Sequence, residues 1–327
     1  TWGSAPRPVG SKLVMTRSGG LDGSVSAGCV EGVVIEESLT VMDTGIPRLL
    51  DYGVADEDAW EVGLACGGSI QVLVEPFSAL DGIYNALKQH LDARDPMAVI
   101  TVLDAPPELR NRKLIVLADG STEGNLNLGE YAPHAIQAAL DQLIRETGGV
   151  IELEGGLRLF IEVYPPVPRL IIVGAVHMAD SLVTIANALG FDTIIVDPRA
   201  AFATRERFPH ATQLIREWPQ HALSAMNLDH SAYVAVLTHD PKLDDPALKV
   251  ALTSNARYIG ALGSRRTNRL RLARLREAGL SEEQLARLHA PIGLPIGGRS
   301  PAEIALSIMA EITQVRNSTP AQVPATA

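Results

Sequence analysis

Cysteine is nearly missing from this chain: Cys29 and Cys66 are the only two in 327 residues. The count allows one disulfide, but nothing in the sequence suggests an oxidising compartment. Long apolar runs are missing as well, and none approaches the ~20 residues of a membrane-spanning helix, so no membrane segment is expected. Positive charge is in deficit: a formal net charge of −10 argues against a general nucleic-acid binder. No signal peptide stands at the start, and the expectation is a soluble, cytoplasmic protein. The chain opens at Thr1 without a methionine, and its first residues, Thr1 to Pro8, read like the middle of a structured region, so further residues upstream are expected. What is present suffices for two ordinary domains, with 46% apolar residues.

Both cysteines are framed by glycine, in Gly28-Cys29-Val30-Glu31 and Ala65-Cys66-Gly67-Gly68. A glycine neighbour lets the backbone bend sharply or approach a ligand closely. Behind Cys29, Val30, Val33, Val34 and Glu37 to Leu39 read as a short helix whose first turn holds the sulfur. A thiol placed there feels the positive end of the helix dipole and ionises more easily. Behind Cys66, Ser69 to Glu75 alternates apolar and polar until Pro76 stops it, which reads as a strand. Set against a paired role, two cysteines in so long a chain are commonly unrelated buried small hydrophobes.

An internal repeat brings the two cysteines into relation. Lys12 to Thr16, then Gly19 to Gly23, then Cys29 form one copy; Lys113 to Leu117, then Asp119 to Gly124, then Glu130 form the other. Each reads as strand, glycine turn, short strand and helix. The closing strands align Cys66-Gly67-Gly68-Ser69 with Glu154-Gly155-Gly156-Leu157. In this alignment Cys29 corresponds to Glu130 and Cys66 to Glu154, so both thiols fall at matching edges of one half-unit and are expected to be close in space.

Pro165-Pro166-Val167-Pro168 is a stiff joint and sets the expected division: an α/β domain over 1–164, a second domain over 168–316 and a disordered tail over 317–327. After the joint, Arg169 to Ala175 reads as a buried strand ending at Gly174. Met178, Leu182, Ile185, Ala186 and Leu189 fall at helical spacing, and Thr193 to Asp197 is a second strand. This βαβ opening, closed by the acidic Asp197, is the layout of a Rossmann nucleotide site within a doubly wound parallel sheet. The glycine fingerprint is broken, however. Gly174-Ala175-Val176-His177-Met178-Ala179 has Val176 where the backbone should approach a pyrophosphate, so ordinary NAD(P) use is not expected.

Two more strands, Tyr233 to Leu237 and Tyr258 to Leu262, carry Thr238-His239-Asp240 and Gly263-Ser264-Arg265-Arg266 at their carboxyl ends, where open α/β sheets bind ligands. His239 reads as a base or ligand, or as a loop histidine bonded to Asp240. Arg265, Arg266, Arg269, Arg271, Arg274 and Arg276 open a helix as a cationic run, expected to be mostly a solvated face. Only Arg265 and Arg266, beside the helix N-terminus, are singled out, as a phosphate-binding fork. Pro291 to Arg299 is a loop, and Ser300-Pro301-Ala302-Glu303 is a capping box opening a last helix through Ile312.

Together these motifs resemble the XdhC/CoxI family, accessory proteins that mature molybdenum hydroxylases such as xanthine dehydrogenase. The likeness rests on Gly3 to Gly10, Gly28-Cys29-Val30-Glu31, Cys66-Gly67-Gly68, the Gly174-to-Ala179 turn, Gly260 to Arg266 and Pro291-Ile292-Gly293-Leu294. It implies an N-terminal α/β domain followed by a Rossmann-like one, a helix and strand before Thr1, and a homodimer. It also implies a chaperone rather than an enzyme with turnover. Such a chaperone binds molybdenum cofactor, holds it while a cysteine desulfurase partner supplies the terminal sulfido ligand, and delivers it to the molybdenum hydroxylase apo-enzyme. Cys29 and Cys66 are then the candidate thiols and molybdenum ligands. Gly28, Gly67, Gly68, Gly174, His177, Asp197, His239, Arg265 and Arg266 are the candidate cofactor-binding positions, the arginines for the phosphate of the molybdopterin or of its nucleotide form. The family turn reads G-A-G-H, and Val176 departs from it. The competing readings are an NAD(P)-dependent oxidoreductase with His239 as acid/base, and a docking scaffold without cofactor.

Overall fold

The computed structural model describes residues 1–3, 7–53, 68–103, 106 and 109–318. It falls into two units, divided between Pro166 and Val167.

In the first unit, β1 (Leu13–Met15) and β2 (Leu21–Gly23) form an antiparallel hairpin, followed by α1 (Glu31–Thr44) and the antiparallel pair β3 (Arg48–Tyr52) and β4 (Ile70–Val74). Then come α2 (Tyr84–Ala93), β5 (Met97–Val102), β6 (Lys113–Leu117), β7 (Thr122–Gly124), α3 (Ala132–Arg145), β8 (Gly149–Leu153) and β9 (Leu157–Tyr164). The last five strands make an antiparallel sheet in the order β7-β6-β5-β9-β8.

The repeat is present in three dimensions. Leu13 faces Gly23 as Leu114 faces Gly124, and the 14-residue helices α1 and α3 start at Glu31 and Ala132. Cys29 therefore does occupy the position of Glu130. The closing strands differ from the sequence alignment by one residue: Tyr52 faces Ile70 as Leu153 faces Leu157, so Ile70, not Ser69, is the counterpart of Leu157. Residues 53–69 separate β3 from β4, against 154–156 between β8 and β9, and with the one-residue shift Cys66 no longer pairs with Glu154 in the alignment. Cys66 and Gly67 lie outside the described residues, and so does their distance from Cys29.

Each half buries the pattern its sequence sets. Ile70, Val72 and Val74 alternate inward along β4 and pack with Val30, Val34 and Val41 of the α1 region. Ala135 and Ala139, one helical turn apart, place the apolar stripe of α3 on Ala98, Ile100 and Val102 of β5. Fully burying a side chain such as Ile100 contributes roughly 1.5–3 kcal/mol.

The second unit contains β10 (Arg169–Val173), α4 (His177–Ala188), β11 (Asp192–Val196), β12 (Gln213–Ile215), α5 (Pro219–Ala225) and β13 (Ala232–Val236). It continues with α6 (Pro241–Leu252), β14 (Tyr258–Ala261), α7 (Arg265–Glu277), α8 (Glu282–Ala286), β15 (Leu288–His289) and α9 (Pro301–Asn317). Its six strands are all parallel, in the order β12-β11-β10-β13-β14-β15, the doubly wound arrangement expected. Central strands of such a sheet are covered on both faces, which is why β10 and β13 read as unbroken apolar runs. Leu170 and Ile172 join one core with α4 and α9; Ile171 and Val173 join the other with α6. The capping box is formed, with Ser300 and Glu303 bonded reciprocally at the start of α9. The tail expected over 317–327 falls almost wholly outside the described residues; Asn317 itself closes α9.

Candidate functional site

Cys29 sits on a bend two residues before α1 rather than in its first turn, because the helix starts at Glu31. Its thiol is free and exposed. The loop that presents it is fixed by Glu31. The Oε1 of Glu31 accepts from the Ser24 hydroxyl at 2.6 Å and the Ser26 N–H at 2.8 Å; Oε2 accepts from the Gly28 N–H at 2.8 Å and from the Ser26 hydroxyl. Ser26, fully buried, in turn accepts from the Val30 N–H at 2.9 Å. Burial acts to raise the Glu31 carboxyl, but the hydrogen bonds from Ser24 and Ser26 hold it well below the usual carboxylate range. Ala27 adopts φ 59°, a left-handed conformation that this clasp stabilises. Glu31 received no role from the sequence alone. The signal was there in Ser24, Ser26 and Gly28 standing just upstream of a first-turn glutamate.

In the second unit the loops after β10, β13 and β14 hold Gly174, His177, His239, Arg265 and Arg266, while Asp197 follows β11. A Cβ on Gly174 would lie 2.4 Å from the Thr238 methyl, so the β10 and β13 loops meet at the switch point only because residue 174 has no side chain. Val176 caps α4 in extended conformation, partly buried against the core. His177, at the first residue of α4, is exposed, as is His239, which adopts φ 63°. His239 makes no hydrogen bond to Asp240 among the described residues; Asp240 instead caps α6, accepting from the Lys242 N–H at 2.9 Å. Arg265 and Arg266 are exposed in the first turn of α7, behind the Ser264 cap. His177, His239 and the two arginines thus occupy the same end of three neighbouring strands.

Asp197 is different. It is fully buried and its carboxylate is filled: Oδ1 accepts from the Arg199 N–H and Nε, both at 2.9 Å, and Oδ2 from the Ala175 N–H at 2.8 Å and Arg199 Nη2 at 2.7 Å. Burial raises this carboxyl, and the Arg199 and Ala175 bonds overcome it and lower it. The acidic residue at this strand end bonds the ribose of a dinucleotide in Rossmann sites. Here the chain's own donors occupy both oxygens.

The arginine run is mostly exposed, at Arg265, Arg266, Arg269 and Arg276, as expected, with one exception. Arg271 is buried, and its Nη2 donates to Asp244 at 2.8 Å while Nη1 donates to the Leu262 carbonyl and to Asn268. Asp244 also accepts from the Thr238 hydroxyl. This buried chain ties the β13 loop to the β14 loop. Arg274 and Arg276 pair with Asp245 and Glu282. Among the described residues no group of three or more His, Cys, Asp or Glu is gathered for a metal ion. No helix among them is long and apolar enough to cross a membrane.

Two family models match the chain: one described as the XdhC Rossmann domain over residues 170–312, and one described as the XdhC and CoxI family over residues 1–53. The chain is 29% identical over 318 residues to a Bacillus subtilis (strain 168) protein named as a probable xanthine dehydrogenase subunit, covering 96% of this chain and 90% of the relative. It is 29% identical over 315 residues to the molybdenum cofactor insertion chaperone PaoD of Escherichia coli (strain K12), covering 96% and 80%. An uncharacterized protein of the same strain, YqeB, is 32% identical over 242 residues, and there the chain spans only 44% of the relative's length. Among solved structures, a crystal structure from Bacillus halodurans described as a xanthine dehydrogenase superposes with a TM-score of 0.74 at 28% identity, covering 98% of this chain and 91% of that one.

Proposed function

The chain belongs to the XdhC/CoxI family, and from that premise we propose that it is a maturation factor of molybdenum hydroxylases. In this reading it holds molybdenum cofactor as cargo while a cysteine desulfurase supplies the terminal sulfido ligand, then delivers it to the hydroxylase apo-enzyme. The protein acts in the cytoplasm as a homodimer, over domains 1–164 and 168–316. The relative named as a molybdenum cofactor insertion chaperone supports the cofactor relationship. The observation that carries the rest is the presentation of Cys29, exposed on a loop that Glu31 clasps through both carboxylate oxygens. A soft thiolate held out in this way is suited to ligate molybdenum or relay sulfur, and Cys66 with Gly67 and Gly68 is the proposed second thiol site. Within the second unit, His177, His239, Arg265 and Arg266 are proposed as a phosphate-binding group.

The test is co-expression with cofactor biosynthesis and purification without oxygen. The protein is then assayed for molybdenum and for the oxidised fluorescent pterin. Near-stoichiometric pterin and metal, lost in Cys29→Ala or Cys66→Ala, is the expected result. Pterin retained in both variants would reject the thiol ligands. A docking scaffold would bind the hydroxylase with no pterin at all. The oxidoreductase reading is disfavoured by the filled carboxylate of Asp197 and by Val176.

A further inference from the structure

The repeat gives the Cys29 position a counterpart, and that counterpart is hollow. Gly129, Glu130 and Tyr131 form a single 3-10 turn just before α3, where the first half has Gly28-Cys29-Val30 before α1. Around this turn lies an open concavity of about 600 Å³, walled on its other side by the β8–β9 turn at Gly155 and Gly156. Leu128 and Leu157 supply apolar surface to it, and Asn127, Glu130 and Tyr131 supply polar groups. The polar groups are uncommitted. Glu130 and the Tyr131 hydroxyl make no hydrogen bond or ion pair among the described residues. Asn127 Oδ1 accepts from the Gly129 N–H at 2.9 Å, which leaves its NH₂ as the free end. A Cβ on Gly156 would meet no protein atom within 4 Å, so that part of the wall borders open space.

A carboxylate offers two parallel acceptors and a primary amide offers donors. The complementary ligand is flat, with two adjacent N–H donors beside a ring carbonyl, and apolar faces to lie on Leu128 and Leu157. We propose that this concavity binds the aminopyrimidinone edge of a pterin, Glu130 accepting from the ring N–H and the exocyclic amine, and the Asn127 amide donating to the ring carbonyl. The proposal rests on the carrier reading for its choice of ligand. It gives the two half-units different tasks: a thiol in the first half for the metal end of the cargo, a carboxylate in the second for the ring end. Guanine presents the same edge, so the chemistry is shared by the pterin and by the base of a guanine nucleotide.

Titration of the full chain with 6-hydroxymethylpterin, lumazine and GMP, followed by fluorescence or calorimetry, tests this. Saturable binding of the pterin is expected. Lumazine has a 2-oxo group in place of the amine, turns an acceptor toward Glu130, and is expected to bind at least about tenfold more weakly. Glu130→Gln is expected to weaken pterin binding by about the same factor without moving the unfolding midpoint, since its side chain is exposed and unpartnered. Gly156→Asn, which tolerates the positive φ of 80° there, is expected to obstruct the pterin too. Equal binding of pterin and lumazine, or undiminished pterin affinity in Glu130→Gln, would overturn the assignment. Binding of GMP in place of pterin would overturn it in favour of the nucleotide base. Cofactor content separates this from the carrier reading: Glu130→Gln protein that carries wild-type amounts of pterin and molybdenum rejects the concavity and leaves the carrier standing. A wild-type chain that binds isolated pterin through Glu130 but never acquires cofactor in cells rejects the carrier instead.

Discussion

Lys113 Nζ lies 2.7 Å from the Glu75 carboxylate and 2.9 Å from the Thr101 hydroxyl, and Lys12 stands in the same relation to Glu162 on the other side of the repeat. Lys12 and Lys113 stand at matching places at the start of the hairpins β1–β2 and β6–β7, and Glu75 and Glu162 at matching places at the ends of the closing strands. Each half therefore lends its lysine to the other half's glutamate, and the two crossed pairs fasten the halves together. The pairs differ in burial, with Lys113 8% exposed and Lys12 57% exposed. Lys113→Met, which strands a half-buried Glu75, is expected to destabilise the first unit by about 3 kcal/mol. Lys12→Met is expected to cost under about 1 kcal/mol. Urea unfolding of both variants decides; equal effects would mean that the crossed pairs are not what binds the halves.

The crossed pairs also show what could be read from the chain and what could not. The repeat was legible because its turns keep glycine at matched places, as Gly23 and Gly124 show. The alternation of Ile70, Val72 and Val74 and the apolar run of β10 were legible because burial on one or both sheet faces dictates them. Residues acting across long sequence separations left no local pattern. Arg271 sits inside an arginine-rich helix, and only its distant partner Asp244 marks it as buried rather than solvated. Glu31 was visible as part of a motif, but its hold on Ser24, Ser26 and Gly28 depends on a left-handed turn at Ala27. The unequal lengths between paired strands, 53–69 against 154–156, shifted the register of the second cysteine motif, because connections between strands tolerate insertions.

The buried pair predicts a division within the arginine run. Arg271→Leu leaves the buried Asp244 carboxyl without its guanidinium, and is expected to destabilise the second unit by roughly 3–5 kcal/mol. Arg265→Ala and Arg266→Ala, on an exposed turn, should remain within about 0.5 kcal/mol of wild type. Chemical denaturation followed by circular dichroism separates them, and a mild Arg271→Leu would show that the Asp244 chain does not hold the two loops.

Glu31 predicts an acid-sensitive loop. Its folded carboxyl is held below the ordinary value of 4.5, so its contribution is complete above that value and is lost as pH falls through the lower folded one. Wild-type protein should lose stability on acidification below about pH 4.5 faster than Glu31→Gln, which carries no proton-dependent clasp. The same variant should change the alkylation rate of the Cys29 thiol severalfold, because the loop that presents it is released. Identical acid slopes and identical alkylation rates in the two proteins would remove Glu31 from this role.

The closed carboxylate of Asp197 makes a prediction about nucleotides. NADH and NADPH should show no saturable binding to the wild-type chain by calorimetry, since a ribose hydroxyl would have to displace Arg199 or the Ala175 N–H from a buried acceptor. Micromolar binding of either would revive the oxidoreductase reading.

His90 gives the opposite pH sign. Near the C-terminal end of α2 it is nearly buried, with Nδ1 2.8 Å from Asp95 and Nε2 3.3 Å from Glu123, so the doubly protonated ring satisfies both carboxylates. The hydrogen bond to Asp95 leads in raising its titration above the ordinary 6.5; burial opposes this, and Glu123 adds to the rise. A group raised on folding stabilises fully below its unfolded value, and that stabilisation disappears as pH climbs through the folded value. The unfolding midpoint should therefore decline from about pH 6.5 upward in wild type and stay flatter in His90→Gln. Glu123 belongs to β7 and Asp95 to the turn after α2, so the imidazolium joins the helix to the edge of the five-stranded sheet. A decline of equal steepness in both proteins would place the titrating group elsewhere.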